Sequence, residues 1–227
     1  MEYTYQDIAK MIDHSLLNPV LTDGELAEGC QIAAQYGVAS VCIKPYFVAQ
    51  AAKMLRGSGV KTGTTIGFPH GGHVVEIKVA EVERALADGA EEVDMVVNIG
   101  KVLTGDWDYV RKDIEACVSA AHAGGAVIKV IFENCFLKDE HKIRLCGICG
   151  EVGADFVKTS TGYGDGGAKI DDLKLMRKHS PPAVQVKAAG GVRTLDDVIR
   201  VRQAGVTRIG ATRTVEILQD CSRQLEK

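Results

Sequence analysis

Eight short runs rich in β-branched residues recur along the chain, separated by stretches with apolar residues every three to four positions, and this alternation restricts the fold more than any other feature. The runs begin at Met11 (MIDHSLL), Val38 (VASVCIK), Lys61 (KTGTTIGF), Glu91 (EEVDMVVN), Val127 (VIKVIFEN), Asp155 (DFVKTSTG), Val184 (VQVKAAGG) and Arg208 (RIGATRT). The stretches ELAEGCQIAAQYG, VVEIKVAEVERALADGA, YVRKDIEACVSAAHAGG and TLDDVIRVRQAG read as amphipathic helices. Thr22 and Thr194 stand where N-caps are wanted, and Gly37, Gly89, Gly124 and Gly205 follow helical runs where a left-handed C-cap is expected. A strict βα order repeated eight times in 227 residues matches a minimal closed parallel barrel. The expected architecture is therefore α/β, a single (β/α)8 TIM barrel over residues 1–227, with a short extra helix from Tyr5 to Met11 covering its bottom. An open doubly wound sheet is the competing arrangement, but its first strand-to-helix turn usually carries a glycine-rich phosphate fingerprint, and HSLLNPVLTDGE has none.

Barrel interiors are normally filled by layers of aliphatic side chains, yet these runs carry Asp13, Asp94, Lys129, Lys158 and Lys187 between apolar neighbours. An inward charge is costly to desolvate unless paired, so the five form a compensating network, a reactive site, or both. Strand alternation puts Phe156, Lys158 and Ser160 on one face and Gln185 with Lys187 on another, while Val157, Val184 and Val186 turn toward the helices. Two ammonium groups in one apolar space disfavour each other's charge, so one lysine is expected to be neutral and nucleophilic, as imine formation requires. A carboxylate, with Asp94 the first candidate, can hold the second lysine charged and relay a proton through a water. The plainer alternative is that these residues are ion pairs that hold the barrel shut.

Glycine-rich turns supply a second signal. Gly162 lies in STGYGDGG after the sixth run, Gly190-Gly191 ends the seventh, and Gly210-Ala211-Thr212-Arg213 ends the eighth just before a helix. Exposed backbone N–H groups, a helix N-terminus and a hydroxyl or guanidinium can together hold a phosphoryl group. A metal reading has only His70 and His73 as a tempting pair, with His122 and His141 expected on outer helices, so no metal site is expected. Cys146 and Cys149 look like the apolar side of a helix, and Cys42 is expected to pack as a small hydrophobe rather than to line a pocket.

Composition narrows the partners. A formal net charge of −3 with mixed signs offers no polybasic footprint for nucleic acid or anionic membrane, so a small soluble ligand is expected. No apolar stretch has the length to span a bilayer, and MEYTYQDIAKMIDH lacks a basic start followed by an apolar run, which points to the cytoplasm. Seven cysteines, an odd number in a chain of full domain size, are expected to be free thiols.

With those residues assembled, the chain resembles the deoxyribose-phosphate aldolase family through IDHSLLNP, VDMVVNIG (Val93 to Gly100), ADFVKTSTG (Ala154 to Gly162) and VKAAGGVRT (Val186 to Thr194), nearly end to end. The resemblance implies a class I aldolase that reversibly cleaves 2-deoxy-D-ribose 5-phosphate into D-glyceraldehyde 3-phosphate and acetaldehyde, without a cofactor. It implies Lys158 as the Schiff-base lysine, Lys187 as the neighbour that depresses its pKa, Asp94 in the proton relay, and Asp13 and Lys129 in a supporting network. Gly162, Gly190, Gly191 and Gly210 then contact phosphate through backbone. Departures exist: Tyr163 stands where some members have lysine, Thr212-Arg213 replaces a pair of serines, and the sequence closes on Lys227 without the terminal tyrosine of some members. Arg213 is expected to make up the phosphate contacts with a bidentate grip. A homo-oligomer, dimer or tetramer, is expected. The rival functions are a metal-dependent aldolase or isomerase on the same fold, and a non-catalytic barrel that binds a sugar phosphate.

Overall fold

A computed structural model describes residues 3–226; what was expected of the sequence opening at Met1 and Glu2, and of its close at Lys227, lies outside the described residues. In chain order, α1 (Tyr5–Ala9) precedes β1 (Ile12–Leu16), α2 (Asp23–Tyr36), β2 (Ser40–Ile43), α3 (Val48–Met54), β3 (Lys61–Ile66), α4 (Val75–Ala87) and β4 (Glu92–Val96). There follow α5 (Ile99–Thr104), α6 (Trp107–Ala123), β5 (Val127–Ile131), α7 (Asp139–Val152), β6 (Phe156–Lys158), α8 (Ile170–His179), β7 (Gln185–Ala189), α9 (Leu195–Gln203), β8 (Arg208–Ala211) and α10 (Thr214–Leu225). Neighbouring strands pair in parallel around a closed ring, β8 returning to β1 through Ile12 opposite Ile209 and Asp13 opposite Gly210. The (β/α)8 barrel expected from the alternation is the architecture found.

Local chemistry explains the element ends. Thr4, Thr22 and Thr194 each accept from the backbone N–H three residues on, while the carboxylates of Asp7, Glu25 and Asp197 reach back to the cap N–H, so three helices start on complete capping boxes. Gly37 closes α2 at φ 62°, a left-handed conformation that residues with side chains rarely adopt. Two details differ from expectation. Helix α1 stops at Ala9 rather than Met11, because the chain must straighten to enter β1. Gly124 caps α6 at φ −94°, and the left-handed turn falls one residue later, on Gly125 at φ 73°.

The apolar core lies between the barrel and its helices. Outward residues of the strands (Val41, Val93, Met95, Ile128, Val130, Val157, Val186, Ile209) are fully buried against Leu26, Val82, Ile114, Leu145, Leu173, Val198 and Leu218. Burying such a side chain is worth about 1.5–3 kcal/mol each, which makes this shell the main source of stability. One charge pair sits inside it: Lys78 on α4 donates to Asp113 on α6 (2.6 Å) and to the Val96 carbonyl at the end of β4 (2.8 Å). Among the described residues no helix is long and apolar enough to cross a membrane.

Candidate active site

Because most apolar residues of the strands face the helices, the alternate residues are left to fill the barrel, and in this chain many of them are ionisable. β1 delivers Asp13, β4 Glu92 and Asp94, β5 Lys129, β6 Lys158, β7 Lys187 and β8 Arg208. Asp94 lies opposite Lys129 in register, and Lys158, Lys187 and Arg208 lie opposite one another across β6, β7 and β8. Asp13, Asp94, Lys129 and Lys187 are each no more than 1% exposed, so contacts with one another replace water.

Asp94 is the hub. Its Oδ1 accepts from Lys129 Nζ (2.8 Å), and its Oδ2 accepts from both Lys158 Nζ (2.6 Å) and Lys187 Nζ (2.7 Å). Lys187 also donates to Asp13 Oδ2 (2.5 Å), whose other oxygen accepts from Ser40 Oγ (2.7 Å) and Arg208 Nη1 (2.6 Å). Deeper still, Glu92 Oε2 accepts from Lys129 Nζ (2.7 Å) and Arg208 Nη1 (3.1 Å). The sequence reading did not single out Glu92 or Arg208. Glu92 was recoverable in principle, since it lies two residues before Asp94 and therefore on the same strand face.

The amines are not equivalent. Burial pulls the Lys158 amine below its ordinary value; Asp94 opposes that pull and the Lys187 ammonium adds to it. Burial acts on Lys187 in the same direction, but Asp13 and Asp94 outweigh it and hold that amine above its ordinary value. Lys129 is raised for the same reason, burial being outweighed by Asp94, Asp13 and Glu92. Burial would push Asp13 and Asp94 up; Lys187, Lys129 and Arg208 hold Asp13 below the carboxylate range, and Lys129, Lys158 and Lys187 do so for Asp94.

Above Asp94 a cavity of about 370 Å³ opens at the C-terminal ends of the strands, with Lys158, Lys187, Gly162, Gly190, Gly191, Gly210 and Thr212 among its lining. Cys42 lines it as well, 4.0 Å from Asp94 Oδ2, which corrects the expectation that it merely packs; burial pushes its thiol up to about 11. A larger hollow of about 640 Å³, between Tyr3, Met11, Ile199 and Thr207, lies at the other end of the barrel, away from the interior lysines.

The loops around the mouth depend on one another. A Cβ at Gly167 would lie 2.5 Å from the Gly190 carbonyl oxygen, so the loops after β6 and β7 can close together only with glycine there; the Ala168 N–H donates to that same oxygen at 2.9 Å. Glu133, just after β5, is the one non-glycine residue with positive φ (57°) among the described residues, and its buried carboxylate accepts from the Thr161 N–H (3.2 Å) and from the Thr161 hydroxyl. Tyr163 donates its phenol proton to the Leu17 carbonyl (2.6 Å), spanning from the loop after β6 to the loop after β1, with its ring edge-on to Phe68. Arg213 does not join the lining: as N-cap of α10 it points its guanidinium outward, 3.8 Å from Glu216, whereas Arg193 lines the cavity. The expectation for Arg213 is corrected accordingly.

Elsewhere, His73 pairs with Glu81 at 3.2 Å, and His122 and His141 lie on the outer helices α6 and α7 as expected. No group of three or more His, Cys, Asp or Glu side chains among the described residues has a metal-holding arrangement. The cysteines are free thiols, and Cys146 and Cys149 are buried on the inner side of α7.

Residues 8–214 match the DeoC/LacD family aldolase. A deoxyribose-phosphate aldolase of Rhodopirellula baltica is 58% identical over 99% of this chain and 93% of its own length. One from Thermococcus gammatolerans is 48% identical, covering 94% of this chain and 96% of its own. Among solved structures, the tetrameric deoxyribose phosphate aldolase of Aeropyrum pernix superposes with a TM-score of 0.90 at 30% identity, over 97% of this chain and 93% of that one.

Proposed function

This chain belongs to the DeoC/LacD aldolase family, carbon–carbon lyases, and on that premise we propose that it cleaves 2-deoxy-D-ribose 5-phosphate reversibly to D-glyceraldehyde 3-phosphate and acetaldehyde through an imine on Lys158. The observation that carries the reading is the pair of buried amines, Lys158 and Lys187, sharing one oxygen of Asp94 beneath the cavity. Sharing a single acceptor keeps the two charges close, and the one with fewer carboxylate partners, Lys158, gives up its proton more readily.

Neutral Lys158 attacks the substrate aldehyde carbon, and loss of water leaves a protonated imine. As the C3 hydroxyl passes its proton to a water that links it to the Lys187–Asp94 pair, the C2–C3 bond breaks, and its electron pair moves through C2 to the imine nitrogen. Glyceraldehyde 3-phosphate leaves, the enamine takes a proton at C2, and water releases acetaldehyde. Lys187, held charged by Asp13 and Asp94, is placed to exchange protons with that carbon through a water, with Asp94 as its partner. Asp13 and Lys129 keep the pair in place. Backbone at Gly162, Gly190, Gly191 and Gly210, the Thr212 hydroxyl and Arg193 surround the space left for the phosphate.

Residues 1–227 act in this reading as one barrel domain that works as a homo-oligomer on a phosphorylated sugar and an aldehyde in carbohydrate degradation. The tetrameric relative supports assembly, and the seven free thiols suit a reducing cytoplasm. The test is borohydride trapping with 2-deoxyribose 5-phosphate or acetaldehyde in the presence of a chelator, followed by peptide mapping. An adduct on Lys158, absent from Lys158→Ala, is expected. Turnover that is chelator-sensitive and leaves no adduct would overturn the imine, and neither adduct nor turnover would leave a sugar-phosphate-binding barrel.

A further inference from the structure

We propose that Arg208 and Glu92, at the floor of the barrel and outside the lining of the cavity, are positioning residues that set the charge state of Lys158 by fixing the charge count of the enclosed network. The inference rests on Lys158 being the imine-forming amine.

The enclosed network contains four basic side chains, Lys129, Lys158, Lys187 and Arg208, against three carboxylates, Asp13, Glu92 and Asp94. Fully ionised, it carries one excess positive charge in a space almost without water, and the inexpensive relief is to release one proton. Connectivity decides which one. Arg208 touches Asp13 and Glu92, Lys187 touches Asp13 and Asp94, and Lys129 touches all three carboxylates; Lys158 touches Asp94 alone, at an oxygen already shared with Lys187. Guanidinium does not deprotonate in proteins, so Arg208 is the permanent member of the excess. The titratable and charged groups facing Lys158 are thus Asp94 and Glu92 from β4, Lys187 from β7, Lys129 from β5, Asp13 from β1, Arg208 from β8 and the Cys42 thiol from β2, which burial keeps neutral. Neither Arg208 nor Glu92 touches the cavity, so neither acts on substrate directly.

Opposite predictions follow for the two. Arg208 stands two strands from Lys158 in register, roughly 10 Å away at the usual strand spacing. At an effective dielectric of about 20, a unit charge at that range moves a pKa by about one unit. Nucleophilic attack needs Lys158 neutral, so kcat/KM rises with pH through its titration. Arg208→Met leaves three cations for three carboxylates, and the acid limb of kcat/KM is expected to move up by about one pH unit. Glu92→Gln widens the excess and is expected to move the limb down by about as much. The double variant restores the original count and its limb should return toward that of the parent, as should the limb of Arg208→Lys.

The measurement is kcat/KM against pH for parent and variants, with borohydride trapping and peptide mapping at each pH. Limbs displaced in opposite directions, and cancelling in the double variant, support the proposal. Limbs that stay put, or move the same way, with the adduct still on Lys158, overturn it and leave the imine intact. An adduct on another residue of the parent overturns the nucleophile assignment and the inference together. Should Arg208→Met fail to fold, the downward shift in Glu92→Gln and the unshifted limb of Arg208→Lys decide the matter alone.

Discussion

Replacing Lys187 by methionine keeps most of the side-chain volume and removes one charge from the pair beneath the cavity. Lys158 and Lys187 sit 2.6 Å and 2.7 Å from the same oxygen of Asp94, which places their nitrogens roughly 4–5 Å apart. At an effective dielectric of about 20, a unit charge at that distance is worth about 3–4 kcal/mol, equivalent to between two and three pKa units. The titration of Lys158 therefore moves up by about two to three pH units, and kcat/KM on the acid side of both limbs should fall by about two to three orders of magnitude. Raising the pH restores the neutral amine, so the deficit should shrink about tenfold per pH unit until the displaced limb is passed. The assay is acetaldehyde release from 2-deoxyribose 5-phosphate between about pH 6 and 10, for parent and Lys187→Met. A loss of equal size at every pH would refute the electrostatic argument and make Lys187 a proton carrier only.

Arg193→Ala should raise KM for the phosphorylated sugar by about 10–100-fold, the worth of a charged hydrogen bond, and spare the unphosphorylated one, while Arg213→Ala leaves both within about twofold. Steady-state kinetics on the two sugars check this, and the reverse pattern would return Arg213 to the site. Glu133→Gln weakens the acceptor that holds Thr161 and should raise KM for the phosphorylated substrate about tenfold without changing trapping of acetaldehyde on Lys158; lost trapping would show that the loop also shapes the nucleophile. Burial lowers His14, which lies 2.8 Å from the Thr214 hydroxyl on α10, from 6.5 to about 4. Below 6.5 the unfolded chain binds a proton that the folded chain refuses, so stability should decline by about 3 kcal/mol as pH falls from 6.5 to about 4 and lose nothing further from this group below that. Denaturant titrations across that range, compared with His14→Gln, would expose the term by its absence in the variant.

The barrel was legible because its alternation is repeated eight times and because most strands couple an apolar outer face to an inner face that breaks the aliphatic rule, β1 with His14 and β3 with Thr62 and Thr64 being the outer-face exceptions. Lys158 and Lys187 stand out for that reason, each between residues that must face the helices. Glu92 escaped because it follows Glu91, and two adjacent glutamates at a strand start look like solvated surface, although only Glu92 turns inward. Arg208 opens β8 and reads as a rim residue until the closed ring puts it beside β1. Residues on loops were the hardest. Whether Arg193 or Arg213 reaches the cavity depends on how the chain leaves a strand, and Glu133 owes its importance to a left-handed backbone that no periodicity announces. The helix α5 is too short for its apolar spacing to register, and in the pair Gly124-Gly125 composition alone does not say which residue turns.

The charged interior has a consequence for how such a protein can evolve. Desolvating several ions is costly even when they are well paired, and replacing a buried ion cluster wholesale by matched apolar residues often stabilises a protein. Deleting a single member strands its partner, at a cost of about 3–5 kcal/mol. For Asp13 and Asp94 there is consequently no downhill single step toward a greasier, hardier barrel, because removing either carboxylate leaves two or more buried cations without a partner they now share. Gains in heat tolerance should therefore accumulate in the apolar shell and the helix caps, where substitutions act independently, while the centre of the barrel stays locked by the mutual dependence of its charges.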